Sequence, residues 1–109
     1  MDARIPALAE QLLLIERELR VLGLWARLPP SDEALSSKQP FCIDALAFEE
    51  WLQWIFLPRM KQILESGSAL PAVSGIRPMA EMVYAERLAE LGRLLESLGE
   101  VDRLVSSGD

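Results

Sequence analysis

The segment from Asp44 to Gly67 constrains the fold most, because its apolar residues recur with helical spacing around an aromatic centre. Between Phe48 and Met60 it holds two of the three tryptophans and two of the three phenylalanines. At 100° per residue, these side chains cover about 200° of a helix surface. The spacing therefore predicts a central helix that contacts neighbours on two or more sides. The predicted apolar arc comprises Phe48, Trp51, Leu52, Trp54, Ile55, Phe56, Pro58 and Ile63.

The ends of this helix carry recognisable signals. We expect the carboxylate of Asp44 to accept the free N–H groups of the first turn, and Gly67 to end the helix after Ser66. Gln53 falls on the polar side of the predicted helix, where it would be solvated.

Two more long helices are predicted, one on each side of the central one. The first runs from Asp2, as its cap, to Leu22, and Gly23 ends it. The third begins at Pro78 and continues to Leu98, with Gly92 as a weak point and Gly99 as an end or a bend. The first stripe consists of Ile5, Leu8, Leu12, Ile15, Leu19 and Leu22, and the third of Ala80, Tyr84, Leu88, Leu91, Leu95 and Leu98.

The region between Leu24 and Ile43 predicts a connection with one short helical turn, capped by Ser31. Its apolar residues are too numerous for a free linker, so we expect it to pack across the bundle. They are Trp25, Leu28, Leu35 and Phe41.

Together these patterns predict an all-α, antiparallel bundle of three long helices plus one short helix. We expect one domain over residues 1–109, with a connecting loop at about 67–77 and a frayed tail at 106–109.

Composition excludes several functions. The formal charge is −6 and the basic residues form no run, which argues against direct nucleic-acid binding. The chain has no histidine, so most catalytic and metal-binding templates fail, and we expect no cofactor, no metal and no enzyme activity. A single cysteine, Cys42, and the absence of a signal segment or membrane span indicate the cytoplasm.

Pro58 and Arg59 interrupt the apolar helix. Pro58 cannot donate to the carbonyl of Trp54, so we expect a kink or a junction of two helices. In ideal phase Arg59 lies within the apolar arc, and a buried guanidinium needs a partner. Three readings stay open: an ion pair with Glu16, Asp44 or Glu81; an outward turn into solvent; or a cleft in which Arg59 binds an anion.

The candidate binding residues are therefore Trp51, Trp54, Pro58, Arg59 and Tyr84. Core packing is the ordinary role of two tryptophans three residues apart. If an edge of either ring is exposed, tryptophan beside arginine is typical of an interface hot spot.

The residues also resemble a known family. The block from Trp51 to Met60, with Pro40-Phe41, Leu70-Pro71 and the run from Pro78 to Glu81, is similar to the YqcC-like family over nearly the whole chain. The resemblance implies a small bacterial helical protein with no established activity. Members are often encoded beside a tRNA pseudouridine synthase, so it also implies an association with tRNA modification.

Two hypotheses follow. The first is a non-enzymatic module that binds a protein partner, or itself, through the face around Trp51, Trp54, Pro58 and Arg59. The second is a small-molecule or anion-binding module in which Arg59 lies in a cleft beside a kinked helix.

Overall fold

The computed structural model describes residues 3–70 and 75–106, and every regular element in these ranges is helical. The all-α class predicted from the sequence is confirmed. In chain order the elements are α1 (Ile5–Val21), α2 (Asp32–Leu35), a 3₁₀ turn (Pro40–Cys42), α3 (Phe48–Trp51), a π-helical turn (Leu52–Phe56), α4 (Leu57–Ser66), α5 (Ile76–Val83) and α6 (Gly92–Ser106). Across the described ranges, no helix is long and apolar enough to cross a membrane.

Helix α1 follows its predicted stripe. Its buried residues are Leu8, Leu12, Ile15 and Leu19. The first helical residue is Ile5, and the predicted cap, Asp2, lies outside the described residues. Gly23 follows the helix with φ +74°, the left-handed conformation that ends helices.

The connecting region packs against the core less completely than predicted. Ser31 caps α2 as expected, since its hydroxyl accepts a hydrogen bond from the N–H of Ala34 at 3.1 Å. Trp25 and Phe41 pack against the core. Leu28, in contrast, is 80% exposed, so its predicted packing is wrong.

The second long helix begins at Phe48, four residues later than predicted. Asp44 does not cap it, because its carboxylate accepts a hydrogen bond from the Ser37 hydroxyl instead. At the true start, the N–H of Ala47 donates to the Glu50 carboxylate at 2.8 Å. The helix ends as predicted at Gly67, with φ +71°.

The irregularity predicted at Pro58 takes the form of a π-helical turn directly before it. There the N–H of Leu57 donates to the carbonyl of Leu52, five residues earlier. The wider turn suits a proline, which has no N–H and whose ring would clash with the Trp54 carbonyl in a regular α-helix. One extra residue also rotates everything after it by about 100°. Pro58 and Arg59 are therefore exposed, while Met60 is buried.

The predicted third helix is two helices. Turns span the residues from Tyr84 to Leu91, and they let both of these side chains reach the core. Pro78 is the third residue of α5 rather than its first, and Gly92 starts α6 rather than weakening a longer helix. Gly99 lies inside α6 and does not end it. Helix α6 ends at Ser106, and the rest of the predicted tail, 107–109, lies outside the described residues.

Helix α6 has the most extensive helix contacts: it packs on α1 and α5, whereas α1 packs less extensively on α4. Asp102 of α6 also caps α5, accepting hydrogen bonds from the N–H groups of Ile76 at 3.0 Å and Arg77 at 2.8 Å. The residue before α5 is Gly75, which has no side chain to do this. The start of α5 is thus supplied by a tertiary contact.

Candidate interaction site

The five predicted binding residues lie on different parts of the second helix and its surroundings. Trp54 and Pro58 line a groove beside α1, whereas Trp51 and Arg59 line a small cleft towards α6. Tyr84 is buried and lines neither. The structure therefore brings these residues together as two pairs rather than one patch.

Trp51 belongs to an aromatic cluster with Phe41, Phe48, Phe56 and Tyr84. Its ring stacks on Phe56 at 5.4 Å between centroids and on Phe48 at 5.9 Å. Phe41 meets the Trp51 ring edge-on at 4.9 Å, and Tyr84 meets Phe48 edge-on at 6.0 Å. These geometries are typical of well-packed aromatic side chains. The half-buried Trp51 therefore serves the core and also forms part of a cleft wall.

Tyr84 is held by a carboxylate. Its hydroxyl donates to Glu49 at 2.5 Å. Burial, and then the hydrogen bond to Glu49, raises the pKa of Tyr84 far above its usual range. The raised pKa favours the protonated phenol, and Tyr84 lies within the core cluster.

The cleft at Arg59 has a volume of about 70 Å³. It is lined by Trp51, Phe56, Arg59, Met60, Ile76, Val101 and Val105. Arg59 is exposed and forms no ion pair with any residue in 3–70 or 75–106. The three carboxylates predicted as partners are engaged elsewhere: Glu16 with Arg20 and Lys61, Glu81 with Arg77, and Asp44 with Ser37. Of the readings left open, the ion pair is absent from the described residues; Arg59 turns outward at the cleft, and its binding of an anion there stays a prediction.

Two cavities lie along the contact between α1 and α4, and together we call them the α1–α4 groove. Their volumes are about 560 and 240 Å³, and Lys61 lines both. Its lining residues are Ala9, Leu12, Leu13, Glu16, Arg20, Trp25, Ala26, Arg27, Gln53, Trp54, Leu57, Pro58, Lys61, Leu64 and Glu65.

One end of the groove is cationic and aromatic. The Arg20 guanidinium lies over the Trp25 ring at 4.5 Å, and Glu16 pairs with both Arg20 at 3.1 Å and Lys61 at 3.4 Å. Arg27 adds a third cation. Three cations against one carboxylate leave this end positive in a protein of formal charge −6. The field here therefore favours an anionic group.

Gln53 and Trp54 form the floor of this end of the groove. Gln53 is 5% exposed and makes two hydrogen bonds to Ala26: it accepts from the N–H at 2.8 Å and donates to the carbonyl at 2.7 Å. The predicted solvated position of Gln53 is wrong, because the connecting segment at Ala26 packs over this side of the helix. The Nε1 atom of Trp54 is buried and finds no acceptor within the described ranges. An unpaired buried donor is costly, so this indole has unused hydrogen-bonding capacity.

The sequence did not point to Gln53, Arg27 or Asp102. Gln53 stood between two tryptophans in an apolar run, which was the one available signal for a buried amide. Arg27 and Asp102 carry no such signal, since their roles depend on which elements meet in three dimensions.

Within residues 3–70 and 75–106, no three Asp, Glu or Cys side chains are grouped so that they could hold a metal ion. Cys42 is buried, and its sulfur lies 3.7 Å from the Ser37 carbonyl.

Fold and site together define a small helical protein with an open interhelical groove. Residues 7–104 match the family described as "DUF446: tRNA pseudouridine synthase C", and the chain belongs to this family. It is 44% identical over 91 residues to an uncharacterized protein of Haemophilus influenzae, covering 84% of this chain and 85% of that one. It is 33% identical over 94 residues to the uncharacterized protein YqcC of Escherichia coli K12, covering 86% of each. The predicted YqcC-like membership is confirmed.

The solution NMR structure of E. coli YqcC has the same fold. It matches with a TM-score of 0.83 at 29% identity, over 99% of this chain and 92% of that one. A different kind of relative is the tRNA pseudouridine synthase C of Pectobacterium carotovorum, which is 50% identical over 62 residues. These residues are 57% of this chain but 16% of the relative, so the similarity covers a small part of a much longer protein.

Proposed function

We propose that this protein is a non-enzymatic cytoplasmic module that binds a tRNA pseudouridine synthase. The observation that carries the proposal is the Pectobacterium protein named tRNA pseudouridine synthase C, in which a segment 50% identical to part of this chain shares one polypeptide with a much longer remainder. Covalent linkage supplies an effective concentration in the millimolar range for short linkers. When the module is a separate chain, it needs a surface that binds the synthase in place of the covalent link.

The surface chemistry supports a protein partner. The Arg59 cleft, at about 70 Å³, is far smaller than the roughly 300–1,000 Å³ of ordinary small-molecule sites. It has the size of a socket for one apolar side chain, with Arg59 at its rim. Tryptophan and arginine at such a socket are the residue types enriched in interface hot spots. In the anion-binding alternative, Arg59 would be the one charged group in the cleft, because the other described residues that line it are apolar.

We propose that the module does not bind tRNA by itself, since the chain carries a formal charge of −6 and three of its cations are gathered around the carboxylate of Glu16 or beside it. Any effect on tRNA modification then passes through the enzyme.

The test combines the purified chain with the purified tRNA pseudouridine synthase C of the same bacterium, followed by size-exclusion chromatography with light scattering. We expect a stable complex and, for the Arg59→Ala variant, reduced complex formation with unchanged helical content by circular dichroism. Arg93→Ala is the control, because Arg93 is exposed on α6 and lines neither cavity.

Failure to form a complex at about 0.1 mM of each protein, a range in which weak interactions are still populated, would refute this function. Self-association of the chain at the same concentration would favour a homo-oligomer instead. Saturable binding of small carboxylates or phosphate that disappears in Arg59→Ala would favour the anion-binding alternative.

A further inference from the structure

The α1–α4 groove is long enough to contact about three turns of a helix. It extends along α1 from Ala9 to Arg20 and along α4 from Glu65 back to Pro58. At 1.5 Å per residue, its α1 wall is about 16 Å long, or roughly three helical turns. The Glu16–Lys61 ion pair at 3.4 Å links the two helices at Lys61, where the two cavities adjoin.

The two ends of the groove differ in chemistry. Around Leu13 and Leu64 the walls are mainly aliphatic, and Leu13 is 67% exposed in the middle of α1. Around Trp25 and Trp54 the walls are aromatic with an excess of positive charge. An apolar floor with cations at one end is complementary to an amphipathic segment that carries carboxylates.

We infer that the α1–α4 groove binds an acidic amphipathic helix of the partner protein. Its apolar residues, spaced three and four apart, lie on Leu13 and Leu64, and its carboxylates meet Arg27 and Lys61. This inference rests on the proposed function, for which it names the partner's recognition element.

A nucleic-acid strand fits this groove less well. One face of Trp25 is already covered by Arg20, which removes a stacking platform. The carboxylate of Glu16 lies between Arg20 and Lys61 and would repel phosphates. The aliphatic half offers a nucleic acid neither charge nor aromatic rings.

Exposed positions allow variants that keep the fold. Leu13→Asp and Arg27→Glu each alter a groove residue, and each has a matched control outside both cavities: Val21→Asp on the same helix, 71% exposed, and Arg93→Glu on α6. We expect both groove variants to weaken calorimetric affinity for the purified synthase by about tenfold or more, and both controls to change it by less than about twofold. Unchanged affinity in the groove variants, with the synthase still bound by the wild type, would overturn the groove assignment and leave the proposed function intact.

If the synthase does not bind at all, a synthetic peptide can still test whether the groove binds an acidic helix. The probe is an acidic amphipathic helix of about three turns, compared with the same peptide carrying Lys for every Glu. We expect the acidic peptide to cause a saturable change in tryptophan fluorescence and to bind with at least about tenfold higher affinity than the basic peptide. The Arg27→Glu variant should lose this preference. No saturable change, or equal binding of the two peptides, would then contradict the inference.

Discussion

At the scale of single residues, Gln53 shows how one buried amide organises the surroundings of the groove. It fixes the chain at Ala26 through two hydrogen bonds, and Trp25 and Arg27 flank that point. Both flanking side chains line the groove. The position of the cationic end therefore depends on a residue at its floor.

Replacing Gln53 by methionine keeps the side-chain volume but removes both hydrogen bonds and leaves polar backbone atoms of Ala26 unpaired. We expect a loss of about 1–3 kcal/mol in the free energy of unfolding, measured by urea denaturation. Gln62→Met is the matched control, because Gln62 is exposed on the same helix and should change stability by less than about 0.5 kcal/mol. Equal effects of the two substitutions would show that the Gln53 hydrogen bonds contribute little.

Tyr84 predicts a pH dependence. In the unfolded chain it ionises near pH 10, at about its reference pKa, whereas burial and Glu49 raise the pKa of the folded protein's phenol well above that. Its contribution to stability is therefore fully present below about pH 10 and is lost as pH rises further. We expect Tyr84→Phe to cost about 1–2 kcal/mol at neutral pH and the gap from the wild type to narrow in alkali.

Denaturation at several pH values measures that gap. Tyr84 is the chain's one tyrosine, so tyrosinate absorbance reports on it directly. Tyrosinate that forms near pH 10 while the helical circular-dichroism signal is intact would contradict the account.

Residue-level prediction from sequence succeeded where local chemistry decides. Ser31 and Gly67 act as a cap and a stop because their effects involve only the next few residues. For Arg59, the sequence limited the possibilities to a position beside a partner group or a position in solvent, since an unpaired buried guanidinium is costly. The π turn decided between these positions, because it changes the side of the helix on which Arg59 lies.

At the scale of elements, Asp102 has the capping role at the start of α5, across a distance of more than twenty residues in sequence. Asp44, which the sequence offers as a cap, is bonded to a serine hydroxyl instead. We expect Asp102→Ala to destabilise the protein by about 1–2 kcal/mol, as for loss of a helix cap, and Asp44→Ala to cost less than about 0.5 kcal/mol.

Urea denaturation measures both changes, and amide hydrogen exchange locates them. Faster exchange at Ile76 and Arg77 in Asp102→Ala, with little change in α1, is the expected pattern. A larger loss of stability in Asp44→Ala than in Asp102→Ala would contradict the capping role of Asp102.

Helical periodicity identified the helical regions but not their interruptions. The stripe of α1 lies where spacing predicts, because that helix is regular throughout. In the second helix, the predicted spacing fails after Leu52. A π turn there adds one residue, whereas the prediction assumed a constant step of 100° per residue. The predicted third helix looked continuous because Tyr84 and Leu91 are seven residues apart, a spacing that suits an unbroken helix as well as two helices joined by turns.

At the scale of the whole molecule, the acidic chain presents its cations unevenly. Arg20, Arg27 and Lys61 gather at one end of the groove, where complementary charge would speed encounter with an acidic partner. The Arg59 cleft lies on the other side of the same helix. One helix thus contributes to both surfaces through which we propose that the module binds its enzyme.

Photo-crosslinking tests the central claim most directly. A benzoylphenylalanine replaces Leu13 in the groove or Val21 outside it, two exposed positions on α1, in the presence of the purified tRNA pseudouridine synthase C. We expect efficient crosslinking from position 13 into a helix of the enzyme, and little from position 21. A complex that crosslinks from position 21 but not from position 13 would contradict it.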